Sequence, residues 1–221
     1  MITMKFYTII PWTQELEHAY KNWGYLAQFL NQRIYSPHVK TEPEPHIFNL
    51  KAYTKLKITD FMPFATGTIQ GLLFNDKIKE ILENCNIPSE YALFDISIEH
   101  KKETYKNYNW LATVVLPENP SPLDFKKTKF CINFNYETNR FGALASFENY
   151  QEAANANAHL RSQAELWLTK AAWQYDIIIL PRIGIGEHNI IISEKLANAF
   201  FENKVTGIEI IKADWIHAIE D

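Results

Sequence analysis

Twice in this chain a short apolar run ends in a small polar residue, an acid and a lysine, then gives way to helical spacing. The first instance is Gly71-Leu72-Leu73-Phe74 running into Asn75-Asp76-Lys77-Ile78. The second is Asn189-Ile190-Ile191-Ile192 running into Ser193-Glu194-Lys195-Leu196. Aligned without gaps, Leu82 falls on Phe200 and Ile87 on Val205. A switch from strand period to helix period at one residue leaves no room for a loop, so each strand must feed its helix directly. Asn75 and Ser193 suit the N-cap, where a side-chain oxygen satisfies an orphan helix N–H. Asp76 and Glu194 then sit at the positive end of the helix dipole. The first helix should bury Ile78, Ile81 and Leu82 and run to about Asn84, with Asn86 and Pro88 stopping it. The second should bury Leu196, Ala199 and Phe200 and end at Val205 and Gly207. Strands are expected after each, over Tyr91–Ile98 and Ile208–Ile211. Capping explains the polar residues without a ligand; an anion at the helix starts is the alternative. The two stretches share little identity beyond Lys77 and Lys195.

The remaining chain supplies more strands than helices. Residues 4–10 read as a strand ending at Pro11. Leu16, Tyr20, Trp23, Ala27 and Leu30 recur at helical spacing, with Thr13 as cap. Three prolines between Ser36 and His46 forbid a helix or a central strand there. Residues 107–116 form a strand with Trp110, Ala112 and Val114 on one face. The lysines of 101–106 suit a protected hairpin edge. Phe130–Tyr136 is a strand, Ser146 or Phe147 opens a helix to about Leu160, and Asp176–Leu180 is a strand. Residues 164–173 satisfy helix propensity and strand alternation equally.

The chemistry-bearing residue types form no motif. None of the seven histidines has zinc-site spacing. Asp214, His217, Glu220 and Asp221 cluster near the chain end; on a helix His217 and Asp221 would share a face, but such clusters are usually solvated. Arg182-Ile183-Gly184-Ile185-Gly186-Glu187 lacks the third glycine of a dinucleotide loop and precedes a strand, so a turn is the better reading. No Gly-x-Ser-x-Gly elbow occurs. Cys85 and Cys131 are far apart and read as small buried hydrophobes. No catalytic residue, metal ligand or cofactor is expected. The charge of -4 is spread evenly enough that no segment suits a phosphate backbone, which argues against nucleic acid. No run approaches 18 uncharged apolar residues, and residues 1–11 lack a signal-peptide cleavage site; the expected location is the cytoplasm.

Leu56-Lys57-Ile58-Thr59-Asp60 with Gly71–Leu82 and Ile87-Pro88, and Tyr175-Asp176 with Ile190–Leu196 and Val205-Thr206-Gly207-Ile208-Glu209, together resemble the Imm11-type (DUF1629) immunity proteins of bacterial polymorphic toxin systems. The resemblance spans about residues 56–212. It implies a protein without catalytic residues that protects its cell by binding a cognate toxin. It also favours a strand over 165–170.

The expected architecture is α+β, with mixed sheets holding two related strand–helix–strand units and an N-terminal strand/helix extension. Residues 1–55 form the extension and 56–221 the immunity-type domain, with halves at about 56–116 and 165–221. The toxin-binding residues are unknown. The loop around Glu42 and Glu44, and Tyr105 and Tyr108, are the first places to seek a partner-facing surface. An enzyme or small-ligand protein would instead assemble convergent polar groups in the fold. A scaffold forming a homo-oligomer would need a large apolar self-association surface.

Overall fold

The computed structural model describes residues 4–11, 20–21, 49–62, 70–88, 91–113, 122–132, 142–156, 158–159, 165–180 and 190–219. Along the chain the elements are β1 (Phe6–Pro11), β2 (Asn49–Lys51), β3 (Phe61–Met62), β4 (Gln70–Asn75), α1 (Asp76–Leu82), β5 (Tyr91–His100), β6 (Glu103–Thr113), β7 (Phe130–Ile132) and β8 (Ala143–Ala145). There follow α2 (Tyr150–Asn155), β9 (Leu166–Leu168), α3 (Lys170–Trp173), β10 (Ile177–Ile179), β11 (Ile190–Ser193), α4 (Glu194–Glu202), β12 (Ile208–Lys212) and β13 (Ile216–Ala218). Helices and many strands in mixed sheets make this an α+β fold.

Two sheets dominate. One has the order β2-β5-β6-β4-β3, with β2 parallel to β5 and the other pairs antiparallel. The other has the order β10-β11-β1-β12, antiparallel throughout. Residues before position 56 supply strands to both: β2 to the first sheet and β1, between β11 and β12, to the second. Two ribbons complete the set, β9 parallel to β13 and β7 antiparallel to β8.

Burial follows the strand period of two. Leu72 and Phe74 of β4 pack into a central core with Ile9, Leu111, Ile177 and Ile192, while Leu73 points to the opposite face. In the second sheet Ile177, Ile179, Ile190 and Ile192 face that central core; Ile178 and Ile191 face a further cluster with Leu166, Leu168 and Ile216. Strands covered on both faces explain the unbroken isoleucine runs. Ile78 of α1 and Leu196, Ala197 and Phe200 of α4 close the central core. Phe61 stands edge-on to Phe74 and Phe200, with ring centroids 5.8 and 5.6 Å apart. Burying each such ring contributes roughly 1.5–3 kcal/mol.

The structure departs from the sequence reading at several points. The β5–β6 hairpin forms, but β6 begins at Glu103 and lies between β5 and β4 rather than at an edge. Helix α2 is capped by Asn149, whose side chain accepts the Glu152 N–H at 3.0 Å, and does not open at Ser146 or Phe147. It stops at Asn155. Residues 165–173 are divided: β9 takes 166–168 and α3 takes 170–173. His217 lies in the strand β13 rather than in a helix; Glu220 and Asp221 lie outside the described residues. Tyr20, expected inside a helix over 13–30, instead forms an isolated antiparallel bridge to Ala52, and the Lys21 N–H donates to the Lys51 carbonyl at 2.7 Å. The rest of that stretch, the proline-rich segment with Glu42 and Glu44, and the Arg182–Glu187 turn lie outside the described residues.

Candidate functional site

The densest polar constellations are two aspartate brackets, one at each strand-to-helix junction. Asn75 caps α1 by accepting the Ile78 N–H through Oδ1 at 3.4 Å. Its Nδ2 donates to Asp60 Oδ1 at 2.9 Å, and Lys77 Nζ donates to Asp60 Oδ2 at 3.2 Å. Ser193 caps α4 by accepting the Leu196 N–H at 3.2 Å. Its hydroxyl donates to Asp176 Oδ1 at 2.6 Å, and Lys195 Nζ reaches Asp176 Oδ2 at 3.3 Å. In both, the backbone N–H of the cap also donates to the aspartate carbonyl, at 2.9 and 3.0 Å.

Each bracket then closes on the chain that leaves the other helix. Asp60 Oδ2 accepts the N–H and the hydroxyl of Thr206, just beyond α4. Asp176 Oδ2 accepts the N–H of Asn86, just beyond α1, at 2.8 Å. The first-turn acids are held by a leading strand as well. Asn109 of β6 donates to Asp76 at 2.8 Å, and Lys5, just before β1, donates to Glu194 at 2.8 Å.

Burial alone would raise the Asp60 carboxyl. The hydrogen bonds from Asn75, Thr206 and Lys77 outweigh it, and the group lies below the usual aspartate range. Asp176 behaves alike: burial pushes up, while Ser193, Asn86 and Lys195 pull it below the usual range. Both side chains are only about one-eighth exposed, at 13% and 12%. An ionised carboxylate whose oxygens already accept three or four donors has little capacity left for a substrate proton. The brackets therefore hold the fold together. A close approach seals the first one: Gly207 has φ +89°, and a Cβ built on it would overlap the Phe61 carbonyl oxygen.

The other residues singled out by the sequence are dispersed. Tyr108 is buried, and its hydroxyl donates to the Thr59 carbonyl at 2.5 Å, so it cannot face a partner as expected. Tyr105 is half-buried and bonds Glu103. Cys131 is fully buried; Cys85 is half-buried, its thiol pushed up by burial and by the Asp176 carboxylate. Among the described residues no three His, Cys, Asp or Glu side chains gather as a metal site, and no helix is long and apolar enough to cross a membrane.

A different cluster lies on the outward side of the β9–β13 ribbon. Trp167 and His217 are register partners, their rings 4.8 Å apart and tilted by 35°. Lys127 places its ammonium 5.6 Å from the centre of the Trp167 ring. The turn before it is fixed by Asp124, whose Oδ1 accepts the N–H groups of Lys126 and Lys127 at 2.9 and 3.0 Å. Sequence reading missed this cluster, because three residues from distant segments meet only once the parallel ribbon forms. No protein-family model matches the chain, and no curated protein does either.

Proposed function

We propose that this chain is an immunity protein that neutralises a cognate bacterial toxin by direct protein–protein contact in the cytoplasm. One observation carries the reading. The residues on which the resemblance rests are consumed by architecture: Asp60, Asn75, Lys77, Asp176, Ser193, Lys195, Thr206 and Gly207 cap, bracket or pack. A signature made of scaffold suits a protein that works by presenting a surface, which needs no catalytic group. A catalytic or ligand-binding role would call for convergent polar groups with unused capacity, and the bracket carboxylates have little. A specific complex would bury about 1,200–2,000 Å².

We also infer that the two strand–helix–strand units are related copies. The order β3-β4-β6-β5 in one sheet parallels β10-β11-β1-β12 in the other, and the brackets match bond for bond at the caps. On this reading β1 fills in the second unit the place that β6 fills in the first.

The test of function is co-expression with the toxin encoded beside this chain's gene. Rescue of growth and a complex that survives gel filtration are expected. Growth arrest without any binding sinks the proposal.

A further inference from the structure

The two parallel ribbons provide an internal comparison. In the first sheet Leu50 pairs with Ile98, both buried, and the next pair is Lys51 with Glu99. In the β9–β13 ribbon Leu166 pairs with Ile216, both buried, and the next pair is Trp167 with His217. The fold needs the inward Leu–Ile pair in both places. It does not need an aromatic pair outside, because charged residues serve at Lys51 and Glu99. Nor is Trp167 held by a core: it belongs to none of the three hydrophobic clusters.

Among the described residues, the donors of this cluster are unspent. Among the described residues, Lys127 Nζ has no carboxylate partner, and its contact is the Trp167 ring face. Among the described residues, the Trp167 indole N–H and the His217 ring nitrogens have no hydrogen-bond partner either, their contact being each other's rings. Asp124, the acid closest in sequence to Lys127, spends an oxygen on turn N–H groups, and Glu148 pairs with Lys126 instead. An ammonium, an indole N–H and an imidazole around one flat ring offer donors and positive charge, with no acid between them among the described residues. Tryptophan is among the side chains that most often anchor protein interfaces.

We propose that the outward face of the β9–β13 ribbon, centred on Trp167 with Lys127 and His217, docks an acidic segment of a protein partner. Taking that partner to be a toxin rests on the immunity reading; the surface itself does not. Carboxylates of the segment would meet the Lys127 ammonium and the indole N–H, while its stems cover the ring.

The experiment has two arms, both on the full chain. In the first, a ten-residue peptide of Glu and Asp is titrated at low salt while the Trp167 indole N–H is followed by NMR. In the second, binding and growth rescue are measured with the toxin encoded beside the gene. Lys127→Glu should weaken both interactions by about tenfold or more, and Trp167→Ala, which removes the NMR probe, should weaken toxin binding by as much. Lys51→Ala and Glu99→Ala on the matching ribbon should leave both unchanged. Lys127 is exposed, so its variant folds even if Trp167→Ala does not. Toxin binding that survives both ribbon variants overturns the surface and leaves the immunity reading standing. Peptide binding through Trp167 without toxin binding overturns the immunity reading and leaves the surface. An indole resonance that never moves, with no loss of toxin binding in either variant, overturns the docking site.

Discussion

The Asp60 carboxylate accepts both the backbone N–H and the hydroxyl of Thr206 at 2.9 Å, across 146 residues of chain. Asp176 reaches Asn86 in the opposite sense, across 90. Each half of the protein thus supplies the carboxylate that fastens the chain emerging from the other half's helix.

Asp60→Asn and Asp176→Asn are each expected to destabilise the fold by about 2 kcal/mol, the scale of hydrogen bonds to a charged group. An amide in either place turns a donor toward a donor, whichever way it is flipped: Asn75 Nδ2 or the Thr206 N–H at one bracket, the Ser193 hydroxyl or the Asn86 N–H at the other. Urea denaturation at neutral pH measures the loss. A change under about 0.5 kcal/mol, the range of ordinary surface substitutions, would show the brackets to be ornamental.

Stability should fall in acid because of the same two groups. Both carboxyls lie below their ordinary value in the folded protein. A group depressed in this way contributes stability that is fully present above its unfolded pKa of about 3.9 and is lost as pH falls through the folded value. Denaturation midpoints from pH 7 down to pH 2.5 should therefore drop below about pH 4. The drop should be shallower in the Asp60→Asn/Asp176→Asn double variant, which starts lower. Parallel curves for the two proteins would refute the assignment.

Gly207→Ala should cost at least about 2 kcal/mol, from the left-handed backbone and from overlap of the new Cβ with the Phe61 carbonyl. Thermal melting of the variant checks this, and an unchanged midpoint would contradict it.

Two of the capped helices should respond unequally. Asn149→Ala removes a cap from an exposed six-residue helix and is expected to cost under about 1 kcal/mol. Ser193→Ala removes the cap of α4 and a donor to Asp176 together, so it should cost about 2 kcal/mol. Equal losses in denaturant titrations would mean that the Ser193–Asp176 bond adds nothing.

Local signals carried the strand-to-helix junctions. Asn75 and Ser193 cap where the period changes, and Ile78, Leu82, Leu196 and Phe200 are buried as their spacing predicts. What stayed hidden depends on long-range pairing. Tyr108 lies two residues before Trp110 and packs in the same core cluster, but its burial depends on β6 being flanked by β5 and β4, which no local signal announces. Asp60 and Asp176 stand just ahead of short apolar strands, a placement that marks nothing until Thr206 and Asn86 arrive from the other half. Asn149 was overlooked as a cap because Ser146 offers the same chemistry three residues earlier. The Trp167–His217 contact needs a parallel register that no turn enforces.

The place of β1 between β11 and β12 bears on how the protein is made. Residues 6–11 leave the ribosome well before residues 190–193 and 208–212, the only strands they pair with among the described residues. At synthesis rates of about 5–20 residues per second, that strand waits on the order of 10–40 s with both edges bare. The second sheet can close only after residues 208–212 have been made, so in a living cell a nascent chain would carry β1 as a sticky, unfinished strand while all the residues between are synthesised.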